Sequence, residues 1–61
     1  MDPDFGEIAK QINQMVESAN RLREVGKDIP AVDRNMVRVL ASLKMLEINI
    51  GEVFELSRPL E

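Results

Sequence analysis

Three serines, Ser18, Ser42 and Ser57, carry the only side-chain hydroxyls in the chain and are its candidate nucleophiles. A serine attacks a carbonyl or phosphoryl centre only when a neighbouring base takes its proton. The chain has no His, and it also lacks Cys, Tyr and Trp. Those absences remove the usual base at neutral pH, the thiol nucleophile, and the imidazole and thiolate ligands that transition metals prefer. No Glu-x-x-His pair exists to build a carboxylate-bridged di-metal site in a helical bundle. Lys44 and Glu47 are an acid/base couple by type, but three residues apart on a helix they form an ordinary surface ion pair. Gly6, Gly26 and Gly51 are isolated, so no glycine loop cradles a phosphate. The expectation is no catalytic residue, no cofactor site and no metal ligand: the chain is read as not an enzyme.

A second set of residues has a different chemistry. Arg21, Arg23, Lys27, Arg34 and Arg38 cluster in the middle of the sequence and would suit phosphate oxygens. Nucleic-acid binding needs dense positive charge, with aromatic or base-reading side chains close by. Here Glu17, Glu24, Asp28 and Asp33 interleave the cations, and the two aromatic residues, Phe5 and Phe54, lie far along the chain. The net charge is −3, which also works against non-specific binding to nucleic acid or anionic lipid. A small RNA-binding regulator that uses these five cations is therefore the alternative reading. Small dimeric helical hairpins that bind RNA supply an analogy of architecture only.

These residues are carried by two heptad-spaced apolar series. The first is Phe5, Ile8, Ile12, Met15, Ala19, Leu22, and the second Ile29, Val32, Met36, Val39, Leu43, Leu46, Ile50, Val53. Steps of three and four put each series on one side of a helix. Gly26 and Pro30 break the pattern between them. The spacing predicts an all-α, antiparallel helical hairpin with helices over about 3–25 and 30–56, forming one domain over residues 1–61. Asp2 is the expected N-cap and Pro3 the first helical residue. Gly26 is expected to end the first helix in a left-handed conformation. Pro30 should open the second helix, Gly51 is its weak point, and Ser57-Arg58-Pro59 should stop it. A short connection makes the helices antiparallel, which brings Phe5 close to Ile50, Val53 and Phe54 at the open end.

One hairpin cannot cover all of its apolar surface. Nine of the 23 residues from Pro3 to Val25 are apolar, against 16 of the 28 from Ile29 to Leu56. The first helix has one seam. The second has a main seam and, roughly 100–180° away around its axis, a strip made of Val37, Ala41, Met45 and Ile48. A chain this short is marginal without disulfides, metals or self-association, and it has no Cys. The strip is therefore expected to meet a second copy, giving an antiparallel four-helix bundle with the second helices in the middle and Arg34 of one copy facing Glu52 of the other. The half of the hairpin around the turn, from Met15 to Ala41, has five cations and four acids. The open half has three cations and seven acids, so the halves carry +1 and −4. Two copies packed head to tail would set each turn beside the other's acidic end.

The expected role is a homodimeric helical interaction module, an adaptor or regulator. Its first expected partner is itself, and the second is another helical protein. No apolar run approaches the ~20 residues needed to cross a bilayer. The acidic start, Met1-Asp2-Pro3-Asp4, is the reverse of a signal peptide's basic region, so a cytoplasmic location is expected.

Overall fold

The computed structural model describes residues 3–57, which form two helices and a tight connection. Helix α1 spans Phe5–Val25 and helix α2 spans Pro30–Ser57. They lie antiparallel as a hairpin measuring 52 × 17 × 16 Å, with no strand among the described residues.

The start of α1 differs from expectation. Its N-cap is Asp4, whose Oδ1 accepts the Glu7 N–H at 2.9 Å, while the Asp4 carbonyl accepts the Ile8 N–H at 3.0 Å. Pro3 consequently lies outside the helix, and Asp2 lies outside the described residues. Asp4 is the better cap because its carboxylate reaches the N3 amide, one of the amides left without an intrahelical acceptor. Glu7 in the first turn and Arg23 in the last each suit the helix dipole.

The turn also departs from expectation at one residue. Gly26 has φ −101° and ψ 17°, not the left-handed conformation. Its N–H donates to Leu22 O at 2.8 Å, its carbonyl accepts the Ile29 N–H at 2.9 Å, and the residue is buried. The need for glycine here is space. A Cβ built on Gly26 would lie 2.6 Å from Val32 Cγ1 and 3.1 Å from the Leu22 carbonyl oxygen. Close approach of α1's end to α2's first turn, with no reversal of φ, sets the residue. The Ile29 carbonyl then accepts from Val32 and Asp33, at 2.9 and 3.3 Å, and so starts α2. Pro30 takes the first position, where a missing N–H costs nothing. Helix α2 runs through Gly51 to Ser57, and the expected stop at Arg58-Pro59 lies outside the described residues.

At the open end the Phe5 and Phe54 rings meet edge to face, with centroids 5.1 Å apart, as the antiparallel register requires. Packing between the helices is otherwise thin. Ile12, Ala19 and Leu43 are the only buried apolar residues among those described. Phe5, Ile8 and Val16 on α1 are half-buried, as are Val32, Met36, Leu40 and Ile50 on α2.

The expected seam is thus split along its length. Met15, Leu22, Val39, Leu46 and Val53 belong to that expected seam, and all five are exposed, as is Ile29. The reason is geometric. Two helices touch along a narrow line, while a three-and-four series covers a sector ~100° wide. The hairpin turns four of the six residues of the first series and four of the eight of the second inward, together with Val16 and Leu40, and leaves the others facing out.

Candidate interaction surfaces

Lettering each heptad makes the arrangement explicit. With Phe5, Ile12 and Ala19 of α1 and Met36, Leu43 and Ile50 of α2 at position a, the inward line consists of a with help from e. Of the d residues, Ile8 and Val32 are half-buried, while Met15 and Leu22 of α1 and Val39, Leu46 and Val53 of α2 flank that line and are exposed. In antiparallel helices the d flanks lie on the same side of the pair. Met15 accordingly lines a shallow groove together with Val39, Leu43 and Leu46, with Asn35, Ser42 and Arg38 along its edge. The five exposed d residues are 36–53% accessible. They make one apolar face that spans both helices.

The strip expected from the sequence is also open. Val37, Ala41, Met45 and Ile48 are all exposed, and the three larger ones are 44–56% accessible. They occupy the back of α2, away from α1. Arg34 and Glu52, expected to pair across two copies, lie on this same back sector and are exposed. Accessibility does not separate the two faces, but charge does. No charged residue within either helix occupies an a, d or g position. The d face is bordered at g by Gln11 and Ser18 on α1 and by Asn35, Ser42 and Asn49 on α2. The back strip is threaded with Arg34, Arg38, Lys44, Glu52 and Glu55.

The remaining flank carries e residues. A groove at the open end is lined by Phe5, Ala9, Ile12, Ile50, Gly51 and Phe54, with Asn13 and Glu47 on its rim. Near the turn the same flank holds the ion pair Arg23–Asp33, with Arg23 Nε donating to Asp33 Oδ1 at 2.7 Å. Both side chains are about half exposed, which limits the pair to ~0–1 kcal/mol.

Of the five cations considered for phosphate contact, Arg23 is tied to Asp33 and Lys27 Nζ lies 3.6 Å from Glu24 Oε1. Arg21, Arg34 and Arg38 are exposed on the outer sectors of their helices. No group of three acidic side chains among the described residues is arranged to hold a metal ion. Among the described residues no helix is long and apolar enough to cross a membrane.

Spacing alone does not reveal the exposure of these d residues, because a three-and-four series reads as one seam. The avoidance of g as well as a and d by every helical charge was the available signal. A surface meant for water carries charge freely, and here the d and g positions of both helices have none. Comparison with family models, with curated proteins and with solved structures finds no match.

Proposed function

We propose that the chain is a non-enzymatic helical interaction module that works as a homodimer, two hairpins forming a four-helix bundle, in an adaptor or regulatory role. One observation carries this reading: a single hairpin buries three apolar side chains among the described residues and leaves twelve large ones exposed. Covering a Val, Leu, Ile or Met is worth ~1.5–3 kcal/mol per side chain. A chain of this size has little stability of its own to set against such exposure, and association is the support open to a sequence without cysteine. The opposite charges of the turn and open halves favour a head-to-tail pair. The bundle would still present an exposed face to another helical protein, which is what an adaptor needs. The RNA-binding alternative is the weaker one, because two of its five cations already have carboxylate neighbours.

Sedimentation equilibrium at micromolar concentration tests the reading. A mass of two chains is expected. A well-folded monomer there would contradict it.

A further inference from the structure

We infer that the copies meet through the d face, Met15 and Leu22 of α1 with Val39, Leu46 and Val53 of α2, and that the back of α2 stays outside the bundle. This rests on the self-association proposed above and names its surface.

Three observations choose this face and this occupant. The first is size. The d face spans both helices over the 21-residue length of α1, about 32 Å at 1.5 Å per residue, so a contact on it covers both helices at once. The back strip belongs to one helix and offers a fraction of that width. The second is charge. Interface centres are depleted of charged residues, and the d face is the exposed apolar face with none at its centre or along its g border. Arg38 reaches the outer edge of its groove from position c. In a head-to-tail pair the two Arg38 side chains would be offset by about 13 Å along the helices, so they would not oppose one another. The back strip would bring Arg34, Arg38 and Lys44 into the contact, and desolvating such groups is costly.

The third observation identifies the occupant. A face with an apolar centre and a neutral, hydrogen-bonding border needs a partner of the same description, and a second copy of that face supplies it. Met15 and Ser42 line the same groove and so share one level, near the middle of the α2 stripe. Reversing one copy about that level sets Val39 of one against Leu46 of the other on α2, and Met15 against Met15 on α1. The borders then match in kind, Asn35 with Asn49 and Ser42 with Ser42. The same reversal places each turn half, charge +1, over an open half, charge −4. These charges lie outside the contact and set its direction.

Two adjacent residues make the test. Leu46 is on the d face and Met45 on the back, and both are exposed in the hairpin. Sedimentation equilibrium would be run on wild type, Leu46→Glu and Met45→Glu, with helicity followed by circular dichroism. We expect wild type to be dimeric and Met45→Glu to remain so. Leu46→Glu, counted twice across the two-fold, should raise the dissociation constant by more than about a hundredfold. Met45→Glu alone dissociating, or both variants weakening the dimer equally, would overturn the assignment while leaving self-association intact. A monomeric wild type would overturn both.

A second variant covers the case in which Leu46→Glu fails to fold. The chain has no cysteine, so Ser42→Cys and Met45→Cys each introduce a single thiol. A short bismaleimide should link Ser42→Cys into covalent dimers and leave Met45→Cys monomeric on a denaturing gel. The reverse pattern would place the contact on the back of α2.

Discussion

Replacing Gly26 by Ala isolates the contact that closes the hairpin. The added Cβ would sit 2.6 Å from Val32 Cγ1, 3.1 Å from Val32 Cβ and 3.1 Å from the Leu22 carbonyl oxygen. Backbone atoms cannot yield cheaply, and a β-branched valine at the start of a helix has little rotamer freedom. Overpacking of this kind costs ~1–3 kcal/mol. Against it stands a gain of ~0.4–1 kcal/mol from a less flexible unfolded chain, because φ −101° is open to alanine. The net loss is about 1–2 kcal/mol, or roughly 5–15 °C in the thermal midpoint of a chain this small. Circular dichroism melts at one fixed protein concentration would read it. Adding Val32→Ala removes both methyl groups from the crowded volume. The double variant should therefore lose less than the sum of the two single variants, a coupling of about 1 kcal/mol. That coupling separates close approach from a left-handed glycine, since a φ penalty would be indifferent to residue 32. An unchanged or raised midpoint for Gly26→Ala, or strictly additive losses, would refute the reasoning.

Other outcomes follow from the same packing. Gly51 lies inside α2, and a Cβ built there meets nothing within 4 Å. Gly51→Ala should therefore stabilise the chain by about 1 kcal/mol through helix propensity alone, read as a higher urea midpoint. A double-mutant cycle on Arg23→Ala and Asp33→Ala should give a coupling below about 1 kcal/mol that shrinks in high salt, because the pair is half exposed.

The sequence made the architecture legible wherever a local rule had one answer. Apolar residues spaced three and four apart have only a helical reading. Pro30 after Gly26 leaves room only for a turn and a helix start, and the register through that turn brings Phe5 to Phe54. Capping was less legible, because Asp2 and Asp4 are both competent caps. The choice of Asp4 depends on which carboxylate finds the free N3 amide. Gly26 read as a left-handed residue because that is the commonest reason for a glycine after a helix. Its actual reason, Val32 pressing on it, is a contact between helices that no local pattern contains. The split of the seam was hidden for a related cause. Spacing places Met15 and Ile12 on one side of α1, but the few tens of degrees that bury Ile12 and expose Met15 are set by how the two helices rotate against each other. Charge placement carries that information indirectly, since Asn35, Ser42 and Asn49 line one border of α2 where charges are otherwise frequent.

The central claim is that a lone hairpin cannot hold its own shape, because most of its apolar surface needs a second molecule. The thermal midpoint measured by circular dichroism across protein concentrations from sub-micromolar to millimolar tests this directly. Folding coupled to association makes the midpoint climb steadily with concentration. A cooperative melt whose midpoint stays fixed over that range would mean that one chain is sufficient, and the account would be wrong.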